Sequence, residues 1–440
     1  MDIQGYIQIA PNRRSFQTRE GVPVFWLGDT AWSCPGRASW EEWTEYVDER
    51  ARQGFNVIQM NALPQHDAYQ PIFQGRKPFS LLEETSEDGR IFRWNYDEID
   101  EAYFDTLSRM VEYANGKGML VALIVVWFEH VPGSRPTVIP PDHPGMTVRQ
   151  ATAYSRYLVR KMRDLNVVWI ISGDDDYVGD GIAEFYDAVG KTVKEAEPYG
   201  RLITTHPVVK SGDTYHHAEW LDFNMVQTGH GNNHHRPPAL VREEWDKNPP
   251  KPVLNAEPCY EWHPDCGREA PVLRLGVRRA CWSSVLAGSL AGLTYGAEGI
   301  WNWARKGDYS RTRTPEQVLP WQEALKLQGA QDVVRMKRLL TALPWQDLKP
   351  AQELLLNRDP ESQASINVAA ADDGRLLLAY LSEKATIELD VSRFYANADV
   401  YWWNPESGEQ TPVATPISGS KLAVSPPFEQ DALLVIYSQS

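Results

Sequence analysis

Short apolar runs recur along the first three hundred residues, at about 22–28, 55–60, 120–127, 167–172, 202–205, 223–227, 252–255 and 291–295. Each has the length and composition of a strand. The segments between them carry apolar residues at helical spacing, over 39–53, 99–115, 147–165, 181–197 and 271–290. In the first of these, Ser39 stands as an N-cap before Trp40, Trp43, Tyr46 and Val47. A closing helix is expected over 315–340, ending before Pro344. Strands that alternate with helices predict a parallel sheet. Because the runs number eight and most are continuously apolar, as in strands buried on both faces, the sheet is expected to close into a (β/α)8 barrel. No Gly-x-Gly-x-x-Gly follows the first strand, which weighs against a dinucleotide-binding sheet. Residues before Gly21 are expected to form a hairpin under the barrel.

After Pro350 the pattern changes to short alternating runs at 353–356, 365–369, 375–381, 386–390, 399–403, 421–424 and 433–437. Turn signals such as Asp372-Asp373-Gly374 and Asn404-Pro405-Glu406-Ser407-Gly408 separate them, as in a β-sandwich. The predicted fold is therefore of the α/β class: a (β/α)8 TIM barrel over residues 1–345, then a small all-β sandwich over 350–440. Trp402 and Trp403 share one run, so at least one should face a core, and the sandwich is expected to buttress the barrel rather than bind ligand.

The 44 Lys and Arg against 59 Asp and Glu give a net charge of −15, with no basic run to meet a phosphate backbone. Nucleic acid and anionic membranes are thereby disfavoured as partners. No basic, apolar leader opens the chain and no segment reaches membrane-spanning length, so a cytoplasmic location is expected. Cys34, Cys259, Cys266 and Cys281 lie far apart and read as reduced thiols rather than as a disulfide framework or zinc site. The 17 Trp and 19 Tyr often stand beside acids, amides or His. Flat apolar faces with polar edges suit the C–H face of a sugar, which points to a carbohydrate partner. An oligomer is compatible with the sequence.

In such a barrel the informative residues end the strands, because one rim collects them all. Strand one ends at Asp29 and leads to Trp32; strand two ends at Asn61; strand three at Trp127, before Glu129 and His130. Strand four runs into Asp174, Asp175 and Asp176, strand five into His206, strand six into Gln227 and His230, strand seven into Glu257, and strand eight into Glu298 and Trp301. Two carboxyl groups facing each other across a barrel mouth are what glycosidic cleavage requires. Asp174 is the candidate acid, with Asp175 and Asp176 expected to help keep it protonated, and Glu257 is the candidate nucleophile, with Glu261 in reserve. Tyr260 and Asn255 are the donors expected beside an ionised Glu257.

His206, His216, His217, His230, His234 and His235 crowd one stretch and raise the alternative of a metal-dependent hydrolase. No His-Glu-x-x-His occurs and two of the pairs are adjacent, so no metal is predicted; His206 and His230 are read as donors to sugar hydroxyls. No Gly-x-Ser-x-Gly elbow supplies an esterase nucleophile.

The motifs Phe25-Trp26-Leu27-Gly28-Asp29-Thr30-Ala31-Trp32, Ser172-Gly173-Asp174, Thr205-His206-Pro207, Phe223 to His230, and Lys251 to Pro258 with Tyr260-Glu261 together resemble the apiosidase-like catalytic domain of glycoside hydrolase family 140, over about residues 5–345. Tyr401-Trp402-Trp403-Asn404-Pro405 with Gly408-Glu409 resembles the small sandwich of collagen-binding type that follows this domain. The resemblance implies a retaining glycosidase with an aspartate acid/base after strand four and a glutamate nucleophile after strand seven, falling on Asp174 and Glu257. An exo-acting enzyme without a cofactor is expected, releasing apiose or another furanose or pentose-like sugar from plant-derived glycosides or oligosaccharides. Its substrate-binding residues would be Asp29, Trp32, Asn61, Trp127, Asp176, His206, Gln227, His230, Tyr260, Glu261 and Trp301. The alternative from another class is a barrel that binds or senses carbohydrate without turnover.

Overall fold

The structure, a computed structural model, describes residues 6–65, 77–84, 92–135, 145–231, 236–264, 270–308, 317–358, 365–395, 397–413 and 419–439. Three short antiparallel strands open the chain: β1 (Ile7–Ile9), β2 (Phe16–Thr18) and β3 (Pro23–Val24). They close the barrel floor, where Phe16 packs edge-on against Phe223, with ring centroids 5.0 Å apart, and against Trp26. The expected hairpin under the barrel is thus a three-stranded sheet.

The barrel strands are β4 (Trp26–Thr30), β5 (Val57–Asn61), β8 (Leu120–Trp127), β9 (Val167–Gly173), β10 (Ile203–Thr204), β11 (Asn224–Gln227), β12 (Val253–Glu257) and β13 (Gly292–Tyr295). Each falls on a predicted run. They form one eight-stranded parallel sheet in the order β10-β9-β8-β5-β4-β13-β12-β11. Between β10 and β11 no ladder forms, but Ile203 and Asp222 exchange bonds of 2.8 Å and the Thr204 hydroxyl donates to Phe223 O at 2.7 Å, so the barrel is nearly closed. Trp26, Val57, Ala122, Ile124, Val168, Ile170, Met225, Leu254 and Ala256 fill the interior. Their neighbours Leu27, Ile58, Val121, Leu123, Trp169, Val226 and Leu293 face the helices, which is the alternation a pleated strand imposes.

The helix Trp40–Gln53 begins with a capping box between Ser39 and Glu42, as its sequence implies, and ends at Gly54 in the left-handed region. The expected closing helix is broken: a turn over Trp321–Ala324 precedes a helix over Gln328–Thr341. The elements that escaped the sequence reading include the hairpin β6 (Phe79–Glu84) with β7 (Phe92–Ile99), the helix Arg236–Trp245, the single helical turns Cys34–Arg37 and Gly212–Tyr215, and the short edge strands Leu348–Pro350 and Gln410–Pro412. The hairpin extends the loop after β5, where an insertion has no eightfold register to reveal it. Among the described residues no helix is long and apolar enough to cross a membrane.

The carboxy-terminal unit comprises β14 (Leu348–Pro350), β15 (Ile366–Ala371), β16 (Leu376–Leu381), β17 (Ile387–Asp390), β18 (Asp399–Trp403), β19 (Gln410–Pro412), β20 (Lys421–Val424) and β21 (Ala432–Tyr437). Six of them form a sheet ordered β14-β15-β16-β21-β18-β19, and β17 pairs β20. The predicted strand at 353–356 is instead a 3-10 turn over Gln352–Leu354. Both tryptophans of β18 are buried, on opposite faces: Trp402 enters the sandwich core, while Trp403 packs at 5.7 Å against Trp282 of the barrel helix Arg274–Leu286. Beside them Arg278 bonds Asp332 at 2.9 Å and Asp431 at 2.8 Å, all three buried. One continuous apolar cluster runs from the barrel helices into this sheet, so the sandwich is packed onto the barrel.

Candidate active site

Strand parity decides which rim residues meet. In β12 Leu254 and Ala256 face the barrel interior, while Asn255 reaches outward to Ser284 at 2.8 Å. Simple alternation would send Glu257 outward as well. The β11–β12 pairing instead shifts: Val226 stands opposite Asn255, but Gln227 stands opposite Glu257. The extra residue is a β-bulge in β12, which turns Glu257 into the barrel mouth beside Gln227.

There the Glu257 carboxylate is buried and surrounded by donors. Gln227 Nε2 donates to Oε1 at 2.5 Å, and His230 Nε2 lies 3.1 Å from the same oxygen. His206 Nε2 stands 3.5 Å from Oε2. His230 Nδ1 accepts the Tyr260 backbone N–H at 3.3 Å, which places its ring proton on Nε2, facing Glu257. Burial alone would raise the Glu257 carboxyl, but the His230 hydrogen bond, the fields of His230 and His206 and the Tyr260 hydroxyl outweigh it and hold the group down at about 2. The carboxylate is therefore ionised over the whole working pH range.

Aromatic rings wall this pocket. Trp32 Nε1 donates to Tyr260 Oη at 3.0 Å, and its ring lies 5.7 Å from Trp127 and 5.2 Å from His206. A side chain at Gly173 would fall 1.9 Å from the Trp127 ring, and one at Gly296 would fall 2.1 Å from that of Tyr260, so the two glycines admit these aromatics. Several buried polar atoms here make no hydrogen bond within the protein: Asn61 Oδ1, Trp127 Nε1, Gln227 Oε1 and both His206 ring nitrogens, Nε2 being only within 3.5 Å of Glu257. Burying unpaired polar atoms is costly, so their gathering at one rim marks a place where a polar molecule completes them.

Asp174 ends β9 in the left-handed region, at φ 53°, with its N–H donating to His206 O at 3.1 Å. The charges around it differ from the sequence expectation. Arg135, from the loop after β8, lies 2.5 Å from Asp174 Oδ2 and also bonds its carbonyl. Asp175 does not face Asp174: it is buried with Ser134, Tyr186 and the Tyr177 N–H, and burial pushes its carboxyl up. Asp176, expected to touch substrate, is exposed and accepts the Val178 N–H two residues on, a local turn. An apolar strand leading into three acids gives no sign of an arginine arriving from another loop, and Arg135 was missed for that reason.

Two further expectations are corrected. Asp29 lies on the outward parity of β4, with Leu27, and is sealed against the helix Trp40–Gln53 by Arg50 at 2.6 Å and Tyr46 at 2.7 Å. Glu261 also turns outward, accepting the Tyr295 hydroxyl at 2.6 Å and the Gly329 N–H at 2.8 Å, where it fastens the start of the helix Gln328–Thr341; burial pushes its carboxyl up. Neither reaches the barrel mouth, so neither is a subsite residue or a reserve nucleophile. Asn61 faces the mouth and bonds Gln65. Trp301 stands at the rim with Nε1 donating to Glu298 at 3.1 Å. His263, unforeseen, stacks on His230 at 4.2 Å, with Nε2 4.0 Å from Glu298; it follows the strand-end residues by a few positions and carries no motif of its own.

Of the crowded histidines, His216 is held by Pro249 O and Asn224 away from this site, and His234 and His235 lie outside the described residues, as does Cys266. Cys34 and Cys281 are buried thiols. Among the described residues no group of three or more His, Cys, Asp or Glu is arranged to hold a metal ion.

Residues 10–347 match the family profile "Apiosidase-like, catalytic domain", and residues 349–436 match "Putative collagen-binding domain of a collagenase". Among solved structures, a protein described as a glycoside hydrolase superposes with TM-score 0.82 at 23% identity, over 99% of this chain and 97% of its own. A glycoside hydrolase family 5 protein from Bacteroides vulgatus ATCC 8482 gives 0.83 at 23% identity, over 99% and 93%. A family 27 β-L-arabinopyranosidase from Geobacillus stearothermophilus gives 0.54 at 12%, over 95% and 98%. At such identities the likeness is one of fold. No curated protein matches the sequence.

Proposed function

The chain belongs to the family of apiosidase-like catalytic domains, a family of glycosidases, and from that premise we propose that it is a retaining, exo-acting glycoside hydrolase with Glu257 as nucleophile and Asp174 as general acid/base. Its substrate would be a plant-derived glycoside or oligosaccharide ending in apiose or another furanose or pentose-like sugar. The observation that carries the reading is the Glu257 carboxylate. It is buried, hydrogen-bonded and ionised, among aromatic faces and unpaired polar atoms. A nucleophile must stay ionised while being stripped of water, and donors fixed before the substrate arrives make that inexpensive.

In this mechanism the terminal sugar enters over Trp32 and Trp127 and exchanges its hydroxyl hydration for Asn61, Trp127, His206 and Gln227. Glu257 attacks the anomeric carbon while Asp174 protonates the departing oxygen. Arg135 gives up its bond to Asp174 as the leaving group takes its place, and Asp174, relieved of that cation, takes up from solvent the proton it then donates. Water activated by Asp174 then cleaves the glycosyl-enzyme ester. Tyr260, His230 and Trp301 line the same subsite.

The test is a panel of aryl furanosides and pyranosides, β-apioside included, assayed with wild type and Glu257→Gln. Turnover that the substitution abolishes is expected. Cleavage that survives it, or a protein that binds the sugars without cleaving any, refutes the reading. An activated 2-deoxy-2-fluoro glycoside should label Glu257, and its failure to label any residue would remove the retaining step.

A further inference from the structure

We infer that Gln227 works on both sides of the reacting bond: its amide nitrogen fixes the nucleophile, and its amide oxygen receives the substrate hydroxyl next to the anomeric carbon. This rests on the glycosidase reading with Glu257 as nucleophile and names the sugar feature that the site selects.

A carboxylate only accepts hydrogen bonds, so the Gln227 atom lying 2.5 Å from Glu257 Oε1 must be the NH2 group, and the amide cannot be flipped. The amide oxygen is then forced to the other side, where it is buried without a partner in the protein. Gln227 is 9% exposed, so water does not readily satisfy that oxygen in place of a ligand. The bulge that pairs Gln227 with Glu257 keeps the two side chains on one face of the barrel mouth, so the amide is carried wherever the carboxylate is. Oε1 of Glu257 is held closely by Gln227 and His230, while His206 stands 3.5 Å from Oε2, beyond a good hydrogen bond, so the anomeric carbon is assigned to the less tightly engaged Oε2. With the anomeric carbon on Oε2, the hydroxyl on the adjacent carbon is the one beside Oε1 and the amide that grips it. That hydroxyl gains acidity as positive charge develops on the sugar ring, so an acceptor there binds the transition state better than the ground state. The site therefore requires a sugar with a free hydroxyl beside the anomeric carbon and discriminates against 2-deoxy sugars in kcat.

The experiment measures kcat/KM of the full chain on 4-nitrophenyl β-D-apiofuranoside and its 2-deoxy counterpart, for wild type, Gln227→Met and Gln227→Glu. Wild type should lose about 100-fold or more on the deoxy substrate. Gln227→Met, which keeps the volume and removes both amide atoms, should be slow on the parent substrate, with a deoxy penalty that shrinks to about 3-fold or less. Gln227→Glu keeps an acceptor oxygen, so it should be slow but retain most of the penalty. An equal penalty in wild type and Gln227→Met overturns the inference, and so does loss of the penalty in Gln227→Glu. Should Gln227→Met fail to fold by circular dichroism, Gln227→Asn, which withdraws the amide by one methylene, replaces it with the same expectations. Apioside cleavage that Glu257→Gln abolishes upholds the underlying reading whatever Gln227 does. If wild type cleaves neither the apioside nor the corresponding xylopyranoside, arabinofuranoside and glucopyranoside, that reading falls and takes this inference with it.

Discussion

Replacing His230 with Phe isolates the group that keeps Glu257 ionised. The ring of Phe can occupy the place of the imidazole, which packs 4.4 Å from Tyr260 and 4.2 Å from His263, so the substitution removes the nitrogens and spares the stack. In the intact protein the Glu257 carboxyl falls from 4.5 to about 2, which at about 1.4 kcal/mol per pH unit is roughly 3 kcal/mol in favour of the charged form. Burial is the largest influence and points the other way, and the His230 hydrogen bond is the first of those opposing it. Without it, Glu257 should rise toward the ordinary carboxylate range, with Gln227, Tyr260 and His206 still favouring its charge. The acid limb of kcat/KM, which reports the free enzyme, should therefore move up from below pH 3 toward about pH 4.5. At pH 7 the variant still carries an ionised Glu257, and its loss should be confined to about 10- to 100-fold.

The same shift has a signature in stability. A carboxyl depressed in the folded state contributes stability that is present above its unfolded value and is lost as pH falls through the folded one. Between about pH 4.5 and 2 wild type should thus lose up to roughly 3 kcal/mol, and His230→Phe should lose less, which thermal unfolding of the two across that window measures. An acid limb that stays within about half a pH unit of wild type would refute the assignment of His230 as the principal support of Glu257.

Gly173→Ala should cost about 1–3 kcal/mol and lower kcat/KM, because the added methyl lies 1.9 Å from the Trp127 ring and must displace it from the pocket; a melting temperature and kcat/KM equal to wild type would show that Trp127 moves freely. Arg278→Met strips Asp431 of its cation and leaves Asp332 to Arg274 and Arg335, so calorimetry should show a loss of about 3 kcal/mol that is partly recovered with Asp431→Asn; independent melting of barrel and sandwich in wild type would contradict the shared core. Glu261→Gln should lower stability by about 1–2 kcal/mol through weaker bonds to Tyr295 and Gly329, with kcat/KM of the folded enzyme within about 3-fold of wild type; abolished activity in a fully folded protein would return Glu261 to the catalytic mouth.

The barrel was legible because its strands are apolar on both faces and its helices are apolar on one, and those two periods are written along the chain. The rim residues were legible for the same reason, since each ends a recognisable run or follows one within a few positions. Trp32, Trp127, His206, Gln227, His230 and Glu257 do converge. What the sequence could not determine was direction. Asp29 and Glu261 carry the right chemistry but face the helices, where Arg50, Tyr46, Tyr295 and Gly329 hold them. Glu257 would have pointed away by the same alternation had a bulge not inserted one residue in its strand. Arg135 reaches Asp174 across nearly forty residues of chain, and Trp403 meets Trp282 across more than a hundred. A period of two assigns a side chain to one face or the other only while the strand stays regular. At a strand end, a single bulge or a left-handed residue reverses the assignment, and only the packing of the assembled barrel, which pairs buried charges and leaves a few polar atoms unpaired, decides which groups meet.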